Sequence, residues 1–303
     1  MLRTELHCHN IYSNGHVGDL EPPFDSSATI NEQLEKSLKS KLDILFVTNH
    51  NTLNGFKQIT EYKNNHEKFS NLKIYPAVEI TTDKEAHVLV YGLHEEIKSN
   101  QSIDEIIDSA KSQDAVTIAP HPFSLVDALR DDSIKCDLFE VFNGSNVDIF
   151  SNKKAEIFAK ENNLLTTVGS DSHIASTIGR CTNIINAQNN LDDVISAMKK
   201  GKISIEKTEY VKNSEVLEHI RYKIENSKEY IEQYVKEFYP KYSWLFNVMY
   251  KSYMFTKKSV IWNATFKIAL FGLRRISYKI NFEGYDPYAF RTRDIPTITK
   301  MLF

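Results

Sequence analysis

Glycine is scarce in this sequence, and the glycine motifs that hold nucleotide phosphates are missing. Only 10 of the 303 residues are Gly, which is about half of the share of roughly 7% usual in proteins. The chain contains neither G-x-G-x-x-G nor G-x-x-x-x-G-K-[ST]. Both motifs use glycine to bring backbone N–H groups close to phosphate. The sequence therefore gives no support to a Rossmann-type dinucleotide-binding protein or a P-loop nucleotide hydrolase.

Cysteines and long apolar runs are also scarce. The three cysteines are scattered without a C-x-x-C pair, and such an odd, sparse set is typical of a reducing compartment. The first residues, MLRTELHCHN, lack the apolar segment of a secretory signal. The longest apolar stretch, residues 259–273, is interrupted by Asn263 and Lys267, so it is too polar to span a membrane. We expect a soluble, cytoplasmic protein without a transmembrane segment.

Charge is divided unevenly along the chain. The formal net charge is -3, yet residues 1–206 carry 20 basic and 30 acidic residues, whereas residues 207–303 carry 17 basic and 10 acidic ones. A division this large indicates two parts with different roles. We predict an acidic first part, residues 1–206, that can hold cations. The basic second part, residues 207–303, would face nucleic acid, anionic lipid or the acidic part itself.

Strand-like runs alternate with amphipathic helical segments over the first two-thirds of the chain. Helices are predicted at residues 30–41, 102–111, 153–162 and 191–199, and the second opens with S-I-D-E, a capping box. This alternation is typical of a parallel sheet, and seven strands favour a barrel over an open sheet. The predicted strands are residues 3–9, 43–48, 73–80, 87–92, 115–119, 138–142 and 164–168.

Six of the ten histidines lie at one end of a predicted strand. The H-x-H spacing of the first two points both rings to one face. Because the strands of a parallel barrel end at one rim, such residues converge there. Imidazoles with a few carboxylates suit Zn²⁺, Mn²⁺ or Fe²⁺, and the absence of thiolates excludes a structural zinc finger. The residues concerned are His7, His9, His50, His87, His121 and His173, together with the acidic residues Glu79 and Asp171.

These residues stand in an ordered set of motifs that resembles the PHP (polymerase and histidinol phosphatase) superfamily. The motifs are H-x-H, a His after the second strand, V-E-I, A-H-V-L-V-Y-G, A-P-H-P, E-V-F-N-G and G-S-D-S-H, within residues 3–206. The resemblance implies an α/β fold, a distorted (β/α)7 TIM-like barrel, here followed by a mostly helical C-terminal extension. It also implies up to three bound metals and hydrolysis of phosphoesters.

The same resemblance implies how the ligands are shared among the metals. The first metal would take His7, His9, Glu79 and Asp171; the second would share Glu79 and add His87 and His121; the third would take His50, His173 and an Asp of an S-D-G turn. In this chain the turn reads Ser13-Asn14-Gly15, so that Asn14 is the residue carried over as a metal ligand.

The chain departs from the family pattern at two carboxylates near the third metal. Asn14 replaces the Asp of the S-D-G turn, and Asn49 replaces the Asp of a T-D-H motif. The amide oxygen of Asn14 would coordinate more weakly than a carboxylate, and Asp19 or His16 are alternative donors. We therefore expect two or three divalent ions (Zn, Mn or Fe), with two favoured over three.

Two further residues are candidates for contact with the substrate. Arg180, which follows the last ligand motif, would either clamp phosphate or form a salt bridge on the barrel rim. Asn143 in E-V-F-N-G would either orient the substrate or close a turn. The sequence leaves both pairs of alternatives open.

Residues 207–303 resemble no family that we recognise, and they are rich in aromatic and basic residues. Helices are predicted at residues 214–241, 242–254 and 257–275, and His219 is expected to be an ordinary residue of the first. The aromatic and basic residues would stack on single-stranded nucleic acid or lie on an anionic membrane surface. Alternatively, the aromatics pack inward while the cations face water or the barrel.

Together these features predict a metal-dependent phosphoesterase, that is, a hydrolase acting on phosphoric ester bonds. By the resemblance, two metals bridged by Glu79 would hold a hydroxide that attacks phosphorus. We expect a small phosphomonoester or a nucleotide end as substrate, because the acidic barrel offers no long basic groove. The alternatives are an exonuclease-type enzyme that holds its strand with the basic extension, and a degenerate metal-binding scaffold without catalysis.

Overall fold

The computed structural model describes residues 1–18, 21–257 and 259–303, and in these residues nine strands form one curved sheet. All seven predicted strands are present, with ends that differ by a few residues, and two more follow them. The strands are β1 Leu2–Glu5, β2 Ile44–Val47, β3 Lys73–Thr81, β4 His87–Tyr91, β5 Val116–Ala119, β6 Leu138–Asn143, β7 Thr166–Gly169, β8 Thr182–Ile185 and β9 Ile203–Lys207.

Ten α-helices occur among the described residues. The four helices predicted for the barrel are present, and the capping boxes at Thr29 and Ser102 start two of them. The second helix in the chain was not predicted, because its Asn54-Gly55 start has the composition of a turn. The helices are α1 Ile30–Lys39, α2 Asn54–Asn64, α3 Ile103–Ser112, α4 Phe150–Glu161, α5 Leu191–Lys199, α6 Asn213–Asn226, α7 Lys228–Phe238, α8 Ser243–Phe255, α9 Val260–Glu283 and α10 Ile295–Leu302.

The sheet curves until its two sides meet, which gives the predicted barrel. Its strand order is β7-β6-β5-β4-β3-β2-β1-β8-β9. After the ends of β1 and β7, the N–H of His9 donates to the carbonyl of Ser172 at 2.8 Å. On β8, the side-chain amide of Asn183 exchanges two hydrogen bonds, of 3.1 and 2.7 Å, with the backbone of Val168. The sheet is therefore a nearly closed barrel.

The predicted parallel sheet is interrupted at β4, which is antiparallel to both β3 and β5. Only residues 82–86 connect β3 to β4, and a parallel connection needs a crossover of a dozen or more residues. The reversal has a consequence for the site. It brings His87, the first residue of β4, beside Thr81 at the end of β3, so His87 lies at the rim where other strands end.

The interior of the barrel below this rim is apolar. Leu89 and Tyr91 alternate with buried neighbours along β4, on the same face as His87. The rings of Tyr91 and Phe46 meet edge to face with centroids 5.0 Å apart, and the Tyr91 hydroxyl donates to the carbonyl of Leu6 at 2.7 Å. The polar rim thus lies above a well-packed floor.

The extension is helical, as predicted, but its helices have different limits. The single helix expected at residues 214–241 is divided at Ser227 into α6 and α7. Helix α9 continues past residue 275 and ends at Gly284, which has the left-handed φ of 76°. Helix α9 packs on α4 of the barrel and on α10. Among the described residues, no helix combines the length and apolar character needed to cross a membrane.

Candidate metal centre

The six histidines predicted as metal ligands meet at one rim of the barrel. Their rings form a continuous cluster in which neighbouring centroids lie 4.4–5.8 Å apart. Five of the six are at most 4% exposed, and His173 is half-buried. Glu79, at the centre, is 1% exposed. The barrel therefore gathers donors that lie far apart in the sequence into one buried group.

Four of these residues form a compact set of donor atoms, the first group. Nε2 of His7 lies 3.2 Å from Oε2 of Glu79 and 3.4 Å from Oδ1 of Asp171. Nε2 of His9 lies at the same two distances from the same two oxygens. Ligands at 2.0–2.1 Å from a tetrahedral zinc ion are about 3.3 Å apart. These four nitrogen–oxygen distances match that spacing, and donor atoms of His7, His9 and Glu79 all lie within 4.8 Å of one another.

Glu79 connects this set to a second group. Its other oxygen, Oε1, lies 3.2 Å from Nδ1 of His87 and 3.0 Å from Nε2 of His121. One carboxylate thus faces both groups, each through a different oxygen. Asp127, which the sequence analysis did not select, lies beside the second group, with Oδ1 3.5 Å from Nδ1 of His121. It stands in a loop, where no periodic pattern could have indicated it.

The third group contains a carboxylate that the sequence analysis missed, Asp25. Its side chain is fully buried, with Oδ1 3.1 Å from Nε2 of His173. Its Oδ2 lies 3.9 Å from Nε2 of His50 and 3.8 Å from Nδ1 of His9. Donor atoms of these four residues all lie within 4.8 Å of one another. Asp25 thus occupies the place expected of a carboxylate at position 14.

The structure does not bring Asn14 into these donor groups. Its Oδ1 accepts hydrogen bonds from the N–H groups of Asp25 at 2.7 Å and Ser26 at 2.9 Å, which uses both lone pairs of that oxygen. Asn14 therefore holds the backbone that carries Asp25. Asn49, the other departure from the family pattern, exchanges hydrogen bonds of 2.9 and 2.7 Å with Asn10 and ties the ends of β1 and β2 together.

The sequence offered Asp19 and His16 as alternative donors for the third group. Asp19 lies outside the described residues. The side chain of His16 is exposed, and its carbonyl accepts a hydrogen bond from Asn51 at 2.6 Å. Asp25 itself lies in the loop segment P-P-F-D, where neither spacing nor periodicity distinguishes it from an ordinary surface acid.

The donor groups leave buried polar atoms without partners, which is the property expected of a metal site. Both ring nitrogens of His9 and of His87, Nδ1 of His50, and both carboxylate oxygens of Asp25 are shielded from solvent and aligned for no hydrogen bond with a described residue. Each such atom costs about 1–3 kcal/mol. Divalent cations would satisfy these atoms together, and imidazoles with carboxylates suit zinc, manganese or iron.

The electrostatics of the rim also favour bound cations. Burial lowers the pKa of His9 and of His121, but the surrounding carboxylates outweigh it and raise both pKa values to about 9. The pKa of His87 is raised in the same way to about 10. Burial would raise the pKa values of Glu79 and Asp171, but the imidazoles hold them well below the usual range. The rim thus attracts positive charge, either as protons or as metal ions.

Glu140 on β6 supports two of the imidazole residues from behind. Its Oε1 lies 3.0 Å from Nδ1 of His7, and its Oε2 accepts the N–H of His121 at 2.7 Å. The first contact leaves Nε2 of His7 directed at the donor group. Gly169 on β7 leaves the space for it, because a Cβ there would stand 1.9 Å from Oε1 of Glu140 and 2.6 Å from Cβ of His7.

Asn143, a predicted substrate-contacting residue, lies in this supporting layer. It is fully buried, and its Nδ2 donates to Oε2 of Glu140 at 2.8 Å and to Oδ2 of Asp171 at 3.3 Å. Its Oδ1 accepts the N–H of Ser145 at 2.9 Å. With both ends engaged, Asn143 closes a turn and orients the Asp171 carboxylate.

Arg180, the other predicted substrate-contacting residue, pairs with acidic residues of the extension. Its guanidinium forms salt bridges with Glu209 and, at 2.6 Å, with Glu215 on α6. The Arg180 side chain is only 10% exposed. The geometry therefore corresponds to the salt-bridge alternative, in which Arg180 attaches α6 to the barrel rim.

Helix α6 also brings residues of the extension into the site. The ring of His219 stacks on that of His173, with centroids 4.5 Å apart, and its Nε2 lies 2.7 Å from the carbonyl oxygen of Asp25. Nζ of Lys223 lies 3.6 Å from Oδ1 of Asp25 and 3.5 Å from Oε2 of Glu21. The sequence analysis missed both residues, because a helical pattern does not tell which neighbour a polar face will meet.

A cavity of about 220 Å³ opens beside the second donor group. Glu21 and Asp127 line its barrel side, and Oε1 of Glu21 lies 3.7 Å from Nε2 of His87. The opposite wall belongs to the extension and is formed by Tyr234 of α7 with Phe290, Arg291 and Arg293. Both arginines are anchored, Arg291 by a 2.6 Å hydrogen bond to a backbone carbonyl and Arg293 over an aromatic ring at 3.4 Å.

Comparisons with known proteins agree with this architecture. A profile of the PHP-associated family matches residues 150–203, from α4 to the start of β9. The uncharacterized protein MJ1587 of Methanocaldococcus jannaschii is 31% identical over 151 residues, which are 48% of this chain and 85% of that protein.

Solved structures show similar folds. PsfC from Pseudomonas syringae superposes with a TM-score of 0.52 at 17% identity, covering 74% of this chain and 98% of PsfC. The lesion-specific endonuclease PfuEndoQ from Pyrococcus furiosus gives a TM-score of 0.48 at 16% identity, covering 67% of this chain and 57% of the endonuclease. At such low identity, the similarity to PsfC concerns the fold alone.

Proposed function

The chain belongs to the PHP superfamily, and from this membership we propose that it is a metal-dependent hydrolase of phosphoric esters. The arrangement of donor atoms carries the proposal. Glu79 faces one set of imidazoles with Oε2 at 3.2 Å and a second set with Oε1 at 3.0–3.2 Å. Divalent ions held so close together are suited to stabilising the charge of a phosphoryl group during its transfer.

We assign three metal positions, one more than the sequence alone favours. The carboxylate of Asp25 supports the third, because it lies 3.1 Å from Nε2 of His173 and supplies the charge that Asn14 lacks. The first position takes His7, His9, Glu79 and Asp171; the second takes Glu79, His87 and His121; the third takes His50, His173 and Asp25.

Bound divalent metals would lower the pKa of a water molecule and neutralise charge on the phosphoryl oxygens. The side chains hold the geometry for this chemistry. Glu140 fixes the ring of His7, and Nδ1 of His173 donates to the carbonyl of Asp171 at 3.0 Å. Each contact occupies Nδ1, so Nε2 is the nitrogen of that ring that can bind a metal. The ammonium of Lys223, which lies between Asp25 and Glu21, adds a positive charge beside the third group.

The cavity supports a small phosphomonoester or a nucleotide end as substrate. Its volume of about 220 Å³ is below the roughly 300–1,000 Å³ of pockets for drug-sized ligands, so a nucleic acid duplex does not fit in it. Arg291 and Arg293 are suited to a second anionic group of the substrate, since guanidinium pairs well with phosphate and carboxylate. Phe290 and Tyr234 add an aromatic surface for a base or another apolar group.

We keep the division into residues 1–206 and 207–303 as a proposal, with the extension as one wall of the active site. An exonuclease-type activity is the second candidate, favoured by the basic extension, in which 17 basic residues face 10 acidic ones. Both activities would use the same metals. They differ in whether the enzyme releases inorganic phosphate from small esters or shortens a strand.

The test combines metal analysis with an activity assay. Protein purified without chelator should contain three Zn, Mn or Fe ions per chain and should release phosphate from p-nitrophenyl phosphate and nucleoside monophosphates. His121→Ala should lower kcat at least about 100-fold by removing a donor of the second group. The matched control is His66→Ala, whose ring stacks on Tyr62 at 4.1 Å outside the donor groups.

Three results would contradict the proposal in different ways. Full activity and metal content in His121→Ala would show that the site assignment is wrong. Bound metals without hydrolysis of any ester would favour the scaffold alternative. Shortening of a labelled single strand without release of phosphate from small esters, with binding that weakens steeply with salt, would favour the nuclease.

A further inference from the structure

The hairpin of α8 and α9 exposes large apolar side chains that the barrel and its site do not use. The three most exposed near its turn are Phe255 at 90%, Val260 at 83% and Ile261 at 74%; we call these three residues the hairpin tip. Similar side chains continue along both helices, namely Trp244 and Val248 on α8 and Ile268 and Phe271 on α9. Such a concentration of exposed apolar surface marks a contact with another molecule.

These exposed residues are not the face by which each helix packs on the protein, because both helices bury another face. On α8 the buried residues are Tyr250 and Tyr253. The ring of Tyr253 meets Trp262 and Phe266 of α9 edge to face, with centroids 5.6 and 6.0 Å apart. The two helices are thus apolar on opposite faces. A helix that is apolar all round normally lies within a protein core or in lipid.

The charge of the hairpin indicates which surface it meets. Residues 240–282 contain eight Lys and Arg residues and no Asp or Glu. Lys251 on α8 and Lys267 on α9 are both exposed. Cations interspersed with exposed apolar side chains complement a surface that offers anionic groups above an apolar layer, which is the structure of an anionic phospholipid bilayer.

We propose that the hairpin tip inserts into the interface of an anionic phospholipid bilayer, with Lys251 and Lys267 against the headgroups. The patch combines aromatic with aliphatic side chains, and the aliphatic ones favour lipid over nucleic acid. Val260, Ile261 and Ile268 offer no ring on which a base can stack, whereas acyl chains accept them. The tip would reach the boundary of headgroups and acyl chains, about 5–10 Å deep, and no helix within the described ranges is long and apolar enough to cross the bilayer.

Sedimentation with vesicles tests this proposal on the full-length protein. It should bind vesicles of phosphatidylcholine with 30 mol% phosphatidylglycerol and should not bind phosphatidylcholine alone, with binding lost at 0.5 M salt. The double variant Phe255→Asp/Ile261→Asp should bind at least about tenfold more weakly. The matched control is Ile134→Asp, an apolar residue of the barrel that is 54% exposed, and it should bind normally.

The double variant Lys251→Glu/Lys267→Glu separates the charge contribution from the apolar one. It should weaken binding to the anionic vesicles about 25-fold, at about fivefold per lysine, while helix content by circular dichroism stays unchanged. Hydrolysis of a soluble phosphomonoester should be unaffected in both double variants, so the result does not depend on the activity.

Three results would overturn the proposal. The first is equal binding of the tip variant and the native protein to anionic vesicles. The second is no vesicle binding together with a dimer in sedimentation velocity that the tip variant abolishes, which would assign the surface to a second copy of the chain. The third is no vesicle binding together with tip-dependent binding of a single-stranded oligonucleotide.

Discussion

Asp25 keeps a negative charge in a place where burial alone would neutralise it. Burial would raise the pKa of Asp25, but the imidazoles of His173 and His50 and the ammonium of Lys223 hold it well below the usual range. A buried carboxylate persists only with such partners or with a metal. The two N–H groups that Asn14 engages fix the loop on which this charge sits. The proposed third metal position would therefore depend on Asp25 for its charge.

Replacement of Asp25 tests this assignment. Asp25→Asn keeps the shape of the side chain but removes the charge, so we expect elemental analysis to find one metal ion fewer per chain, with the other two retained. Asp108→Asn, at an exposed position of α3, should leave the metal content unchanged. A full complement of metals in Asp25→Asn would exclude Asp25 as a ligand.

Adding a methyl group at Gly169 should disturb the first proposed metal position through Glu140, which supports His7. Because a Cβ there would stand 1.9 Å from Oε1 of Glu140, Gly169→Ala must displace Glu140 from His7. Loss of such a supporting contact lowers metal affinity about 10–100-fold, which competition with a chelator can measure. Glu140→Gln, which keeps the volume, should have a smaller effect. An unchanged affinity in Gly169→Ala would show that the contact between Glu140 and His7 is dispensable.

Individual site residues could be predicted from the sequence only where they lie at the end of a strand. His7, His9 and Glu79 each adjoin an apolar run, so the barrel rule located them. Asp25 and Asp127 stand in loops and reach the rim through the course of the backbone, which no local pattern encodes. Whether the recognised residues bind metal stays a prediction that the metal analysis must test.

A salt bridge whose side chains are largely shielded from solvent attaches helix α6 to the barrel. Arg180 and Glu215 are only 10% and 13% exposed, so removal of one partner leaves the other charge poorly solvated. This differs from the pair of Arg3 and Glu206, whose side chains are 35% and 27% exposed. Surface pairs contribute at most about 1 kcal/mol. The position of His219 and Lys223 over the rim therefore depends on Arg180.

Arg180→Ala should accordingly lower the free energy of unfolding by about 1–3 kcal/mol, as measured by urea denaturation. Arg3→Ala serves as the control and should cost less than about 1 kcal/mol. If Arg180 instead clamps phosphate, the variant would keep its stability, and only its KM for phosphomonoesters would rise.

Apolar periodicity predicted the types of the helices and strands. It did not predict their directions or the contacts between them. Seven strands and four of the five barrel helices, all except α2, follow from apolar periodicity. The apolar run of β4 does not reveal its reversal, because the hydrophobic pattern of a strand is the same in both directions. The short connection between the predicted strands at 73–80 and 87–92 could have indicated it. The division of the first extension helix at Ser227 was missed because the apolar spacing continues across it.

We expect the rim to exchange protons for metal ions at the imidazoles whose pKa values are raised. At pH 7 the metal-free protein holds protons on His9, His87 and His121, since their pKa values are raised to about 9, 10 and 9. A metal ion must displace these protons. Metal binding should therefore release protons, and apparent metal affinity should rise from pH 6 to pH 9. Isothermal titration in two buffers of different ionisation enthalpy measures this release, and a heat independent of the buffer would contradict it.

The cavity is built from regions at opposite ends of the chain, and this sets an order of events during synthesis. A growing chain has made every proposed metal ligand once His173 has emerged, but Arg291 is translated about 120 residues later. A ribosome-bound chain of intermediate length would therefore carry all of the proposed ligands before the far wall of the cavity exists. Metal binding and completion of the cavity would then be separate steps of synthesis.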